Sequence, residues 1–202
     1  IVAGKLDDSL FLFKNRDRSY TPDTVIVREK FKGSEIVYYT DQIGWIEGMN
    51  EHGVGFVMSQ LTEIHRPGYK PTWFVSDDPK STKKFLKFAD GIKNILSARN
   101  AEEALKFLKQ SEKSGNFLIG DKDSLYEVEV FKGETKQRKL EFAENSFYVK
   151  TNHGILFPEA GHQSAGDSIK RSSSSIRKHQ AEIQLLGIQD MTEIPSRMKC
   201  QA

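Results

Sequence analysis

Chemistry on a protein needs polar side chains fixed where apolar structure ends, and in this sequence the candidates stand at the ends of apolar runs. Asn15 and Asp17 follow the run from Leu10 to Phe13, and Thr151-Asn152-His153 follows Phe147-Tyr148-Val149. Groups so placed either close turns or line a site: a carboxylate can orient and charge a base, and a carboxamide can donate to an oxyanion. Taken singly, each reads as a turn residue. The five histidines (His52, His65, His153, His162 and His179) are scattered one by one, which points to surface or core roles before a ligand set. One cysteine, Cys200, makes neither an internal disulfide nor a thiolate zinc site. The sequence contains no Gly-x-x-x-x-Gly-Lys-Ser/Thr, no Gly-x-Gly-x-x-Gly and no His-Glu-x-x-His. The acidic turn Asp121-Lys122-Asp123 lacks the glycine and distal glutamate of a calcium loop, so neither a metal nor a cofactor is expected.

The elements that must position these residues are legible from periodicity. Over the first 61 residues the chain reads as an antiparallel meander. Phe11 and Phe13 alternate with Leu10, Leu12 and Lys14, and Val25, Val27 and Phe31 alternate with Ile26 and Arg28. Short β-rich runs follow at 36–39 and 54–58, with a tight turn over Gly48 to Gly53. Residues 62–80 hold Pro67, Pro71 and Pro79 and read as a long surface excursion. Ser81 is placed to cap a helix through Phe88. A second helix follows Asn100, with Ala101, Ala104, Leu105 and Leu108 on one face and Glu103 three residues after the cap. Strands are expected at 116–120, 125–131, 139–142 and 147–151. A last helix is expected over 172–186, burying Ile176, Ile183 and Leu186 and stopped by Gly187. Strands, helices, strands and a helix make the order of a layered α+β domain, with no internal repeat and no break into two units.

Composition bounds the partners. The chain has 202 residues, with 30 Lys+Arg against 28 Asp+Glu and a net charge of +2. At about 150 residues per domain this is one domain with a sizeable core. Near-neutral charge gives no footprint for nucleic acid, and no apolar run reaches the roughly 18 residues of a membrane span. The opening Ile1-Val2-Ala3-Gly4-Lys5 has neither an initiator methionine nor a signal-peptide pattern, so residue 1 is expected to follow further residues of the gene product. No Asn-x-Ser/Thr sequon occurs, which leans against a eukaryotic secretory route and toward the cytoplasm, with lysosomal or secreted locations left open.

Taken together and in order, several of these segments resemble a family. Ile1-Val2-Ala3-Gly4-Lys5, Phe13-Lys14-Asn15-Arg16-Asp17, Gly48 to Val54, Gly115 to Asp121, Lys150-Thr151-Asn152-His153 and Ser174-Ser175-Ile176-Arg177 look like successive landmarks of the N-terminal-nucleophile (Ntn) hydrolases of the choloylglycine hydrolase and penicillin acyltransferase type. The resemblance covers essentially the whole chain. It implies a four-layer αββα sandwich, here a single domain over 1–202 with residues wanting at both ends. It also implies hydrolysis, or acyl transfer, at a linear non-peptide amide C–N bond. An N-terminal cysteine freed by autoprocessing attacks the carbonyl, and its own α-amine, with a pKa of about 7.7–8.0, is a matched base. Carried over by position, Asp17 would orient that amine, Asn152 would donate to the oxyanion, and Arg177 would hold the surroundings of the nucleophile.

Three departures qualify the match. Lys14 stands where many members have arginine, which keeps the charge and loses the planar fork. Met58-Ser59-Gln60 stands where members often have an asparagine, leaving Gln60 or a backbone N–H as the second oxyanion donor. The nucleophile itself is expected about three residues before Ile1, because Cys200 has no free α-amine beside it. If no cysteine precedes Ile1, the alternative is a catalytically silent relative that binds an acyl amide or a protein partner. A third reading is an α+β domain whose likeness is turn chemistry alone. Tyr69, Trp73 and Phe74 in the proline-bearing excursion are candidates for an apolar wall around an acyl chain. A homo-oligomer fits the family, although no residue pattern here measures it.

Overall fold

The computed structural model describes residues 1–15, 24–40, 46–59, 61, 90–110, 115–158, 160 and 165–198, the last stretch without side chains before residue 173. The proline-bearing excursion and the helix expected from Ser81 to Phe88 lie outside the described residues.

The described strands form two antiparallel sheets. A seven-stranded sheet runs β3 (Val25–Phe31), β4 (Ser34–Thr40), β5 (Glu47–Asn50), β6 (Gly55–Ser59), β7 (Gly115–Gly120), β8 (Leu125–Phe131), β9 (Glu134–Leu140). A three-stranded sheet has β1 (Val2–Leu6) at its centre, between β10 (Ser146–Val149) and β2 (Ser9–Phe13). The expected meander therefore holds for β3 to β6, whereas β1 and β2 leave it for a second sheet. The reason lies in β2: it is apolar on both faces, and only a strand between two cores can bury Phe11 and Phe13 on one side and Leu10 and Leu12 on the other.

Side-chain alternation sorts the core into three main clusters. Ile36, Tyr38, Phe56, Met58, Phe117, Ile119, Val128 and Val130 pack against helical residues of α1 (90–96) and α2 (Ala101–Gln110). On the other face of the large sheet, Val57, Leu118 and Leu125 meet Ala3, Leu10, Leu12 and Tyr148 of the small one. Beyond the small sheet, Val2, Val149, Phe11 and Phe13 pack on Ala181 and Leu185 of α3 (Ala165–Leu185) and on Ile194 of α4 (Ile194–Arg197). The result is a sheet-dominated α+β domain, consistent with a two-sheet sandwich.

Local sequence accounts for most of the boundaries. Hairpins close through two-residue turns in which both φ angles are positive: Asp7-Asp8, Lys32-Gly33 and Lys132-Gly133. Gly48 is required for another reason, since a Cβ there would stand 2.2 Å from the Val37 carbonyl oxygen of the neighbouring strand. Helix α2 begins as its sequence suggests. Asn100 Oδ1 accepts the Glu103 amide at 2.9 Å, and Glu103 returns a carboxylate to the Arg99 amide at 2.7 Å. The acidic turn is structural. Asp121 accepts the amides of Asp123 and Ser124 with one oxygen and that of Ala101, at the start of α2, with the other.

Several expectations are corrected. The tight turn expected over Gly48 to Gly53 is shorter, because Glu47–Asn50 is strand β5 and only residues 51–53 turn. The strand expected at 139–142 is β9, Glu134–Leu140, whose polar, mostly exposed sequence carries no alternation and is set by the Lys132-Gly133 hairpin. Helix α3 starts at Ala165 and not near Ser172, and its buried face is not the one expected. Ile176, Ile183 and Leu186 are 57%, 54% and 72% exposed, while Ser174, Ala181 and Leu185 are buried. Small residues let this helix lie close on β10, and a hydroxyl on that face is used at the site. No helix among the described residues is long and apolar enough to cross a membrane.

Candidate active site

The site is built where β1 begins and β10 ends. Antiparallel pairing of Val2 with Val149 continues one residue further, so that Ile1 N donates to Lys150 O and Lys150 N donates to Ile1 O, both at 2.8 Å. The chain then leaves the sheet as a turn through Thr151, Asn152 and His153. Three elements hold this turn.

From the large sheet, Ser59 Oγ at the end of β6 and Asn116 Nδ2 at the start of β7 both donate to Thr151 O, at 3.2 and 2.8 Å. A carbonyl only accepts, which fixes the orientation of the Asn116 amide; its Oδ1 is buried without a hydrogen-bond partner. From α3, the buried Ser174 hydroxyl accepts the amides of Asn152 (2.8 Å) and His153 (3.0 Å) and lies 2.9 Å from His153 Nδ1. One turn along the same helix, Arg177 Nη2 donates to Asn152 Oδ1 at 3.1 Å. That contact decides which end of the carboxamide carries the donor: Nδ2 is turned away from the guanidinium.

The third support is a buried ionic cluster. Lys150 is fully buried, and its ammonium donates to Glu127 Oε1 at 2.6 Å and to Glu129 Oε1. Glu129 also accepts the backbone amides of Ile155 (2.7 Å) and Phe157 (2.8 Å). Glu127 takes Arg138 Nε at 2.6 Å, and Arg138 Nη2 donates to Tyr148 OH at 3.1 Å. Burial by itself would raise the Glu127 carboxyl, but the Lys150 charge and hydrogen bond, with Tyr148 and Arg138, hold it below the ordinary 4.5. Burial pushes the Tyr148 hydroxyl far up, and the Glu127 carboxylate beside it adds to the shift.

Beside this polar region the two sheets part. The small sheet covers β6 to β8 with β2 at its edge, and a cavity of about 700 Å³ lies between β2 and the inner face of β3 to β6. Its lining is mainly apolar, with Leu10, Leu12, Ile26, Val37, Met49 and Val57 prominent. Lys14, the residue of β2's end that stands opposite Ile1 when the β1–β2 register is carried on by one, brings a positive charge to the wall. Ile26 and Met49 are 77% and 54% exposed, so the cavity opens to solvent.

Of the residues expected from sequence, Asn152 and Arg177 are in contact, and Lys14 lies two strands over, beyond β1. Asp17, Gln60, Tyr69, Trp73 and Phe74 lie outside the described residues. Asn15 donates Nδ2 to Met198 O at 2.7 Å, which ties the end of β2 to the chain after α4. Sequence reasoning assigned no role to Glu127, Glu129, Ser174 or the Lys150 ammonium. A signal existed for the glutamates: they occupy alternate positions of a strand, Leu125–Phe131, whose every residue is buried. Among the described residues no group of metal-binding side chains gathers.

The domain thus carries an amide-bearing turn after β10, at one edge of the small sheet, and an apolar cavity along β2, at the other edge. The family model for acyl-coenzyme A:6-aminopenicillanic acid acyl-transferase matches residues 4–187, and the chain belongs to that family. No curated protein matches it. The family is one of Ntn-hydrolase-like acyltransferases and amide hydrolases, and an acyl-type small molecule fits it as substrate.

Proposed function

We propose that this chain forms the body of a four-layer αββα Ntn hydrolase that cleaves a linear non-peptide amide or passes its acyl group to another acceptor. The observation that carries the reading is the Arg177–Asn152 contact beside the paired ends of β1 and β10. Residues just upstream of Ile1 that kept to this register would run past the turn from Thr151 to His153. A cysteine about three residues before Ile1, exposed as an N-terminus by autoprocessing, would then have its thiol close to Asn152.

In this reading the thiol attacks the substrate carbonyl carbon and its proton passes to the cysteine's own α-amine. The C=O electron pair moves to oxygen, where Asn152 Nδ2 and a second donor, Gln60 or a backbone N–H, stabilise the oxyanion. Collapse breaks the C–N bond, and the departing amine takes the proton. Water completes hydrolysis of the resulting thioester, while an amine acceptor in its place makes the net reaction acyl transfer. Asp17 orients the α-amine, a role that rests on the resemblance alone. Lys14 supplies charge beside the nucleophile. The acyl group occupies the apolar cavity along β2, whose size is within the range of small-molecule sites, about 300–1,000 Å³.

The test is a panel of N-acyl amino acids, acylethanolamides, bile-acid conjugates and β-lactams offered to the full-length processed protein, with the upstream cysteine changed to alanine as control. Turnover that vanishes in the control is the expected result. An upstream residue other than cysteine, or a processed protein inert to every amide, would make the chain the silent relative that binds an acyl amide or a protein partner.

A further inference from the structure

We propose that Glu129 is a positioning residue for the turn that carries Asn152, with Lys150 as its charge partner; this rests on the acyl-transfer reading above. Glu129 is fully buried and belongs to β8 of the large sheet, whereas Asn152 follows β10 of the small one. One of its oxygens accepts the Ile155 amide at 2.7 Å and the Lys150 ammonium, and the other accepts the Phe157 amide at 2.8 Å. Lys150 lies two residues before Asn152 and Ile155 three after it. Both ends of the segment are therefore tied to a single carboxylate of the opposite sheet, and its middle is tied to Ser174 and Arg177 on α3.

Stability alone is a poor reason for this arrangement. Lys150, Glu127 and Glu129 are all fully buried, and replacing a buried ion pair by well-packed apolar side chains is commonly neutral or stabilising. What the carboxylate supplies is fixed geometry. It accepts and never donates, so it meets two backbone amides and an ammonium at once while buried from the solvent surface, and charge-assisted bonds of this kind are short and directional. A glutamine in its place would turn an N–H₂ toward an amide or toward the ammonium. Fixed geometry is what an oxyanion donor needs, because a donor displaced by about 1 Å costs up to about a hundredfold in rate.

The test uses the full-length protein with Glu129→Gln, Lys150→Met and the double variant. It follows melting temperature, kcat and KM for an acyl amide that the wild type turns over, and the NMR cross-peak of the Asn152 side-chain amide. Both single variants are expected to melt lower, and the double variant, which has lost a matched pair, to melt close to the wild type. In all three, kcat falls about ten- to a hundredfold with KM nearly unchanged, and the Asn152 cross-peak is displaced. A purely structural role predicts otherwise. Recovery of kcat together with melting temperature in the double variant would overturn the proposal, as would an Asn152 cross-peak in Glu129→Gln that coincides with the wild type's. If the protein turns over no acyl amide, the acyl-transfer reading fails and the cross-peak alone decides the positioning role.

Discussion

The layer between the two sheets is made of opposite materials on its two sides. Toward β8 and β10 it is polar and closed: Lys150, Glu127, Glu129 and Asn116 are fully buried, and three structural elements converge on the turn from Thr151 to His153. Toward β2 to β5 it is apolar and open, with Leu12, Val37 and Met49 around a cavity. The difference follows from what each material tolerates. Buried charge is stable only when its partners sit at fixed positions, so a charged region is committed to one geometry. Apolar surface has no directional demand, and where the small sheet stops short of β3 to β5 it is left for something else to cover. Lys14 stands on the wall of the apolar side, whereas Asn152 belongs to the polar one.

The sharpest way to break this contrast is to unbalance the charged side. Lys150→Met leaves the buried Glu129 without its cation and Glu127 with Arg138 alone, and urea denaturation should register a loss of about 3–5 kcal/mol. A loss below about 1 kcal/mol would mean that the cluster is not the rigid half of the molecule. Next in size, Asn152→Ala in the full-length enzyme should lower kcat about 10²–10³-fold while the melting temperature stays within a few degrees. A comparable fall in stability would instead make Asn152 part of the scaffold.

The open side should respond differently. Val37→Trp, which places a large side chain in the cavity, should raise KM for a long-chain acyl amide about tenfold while a short-chain one is handled as before, and folding should be little affected. Equal effects on both substrates would remove the cavity from the reaction. The smallest expected effect is on pH dependence. The carboxyl of Glu127 is held below 4.5 when folded, so its contribution is complete above that value and is lost as pH falls through the lower folded-state value. Melting temperature measured downward from pH 5 should therefore drop less steeply in Glu127→Gln than in the wild type, and parallel curves would show that Glu127 does not couple to folding.

Much of this was readable in order along the chain. Helix α2 was legible to the residue of its cap because Asn100, Glu103 and the apolar stripe from Ala101 to Leu108 all act within ten residues. Strands β7 and β8 were legible for the same local reason. The buried face of α3 was not. Periodicity favoured Ile176, Ile183 and Leu186, yet close packing on β10 and the Ser174 hydroxyl bonds selected the face with the smaller residues. Strand β9 escaped because it pairs through backbone and hairpin geometry, and its side chains announce nothing. At the site, Asn152 and Arg177 were named from the order of short landmarks. The glutamates that brace the same turn were passed over because their partners lie 21 to 28 residues away in sequence.

By itself, then, the sequence determined strands such as β7 and β8 and the cap of α2, and it determined the family through motifs whose order survives even where each is short. Those are properties of neighbouring residues, set by φ preferences, period and local hydrogen bonds. Only the tertiary structure decided that β1 and β2 leave the meander for a sheet with β10, that two fully buried carboxylates share the Lys150 ammonium, and that the small sheet ends early enough to leave a cavity beside Lys14. These depend on which surfaces meet across the chain, and burial, unlike periodicity, is a property of the assembled molecule.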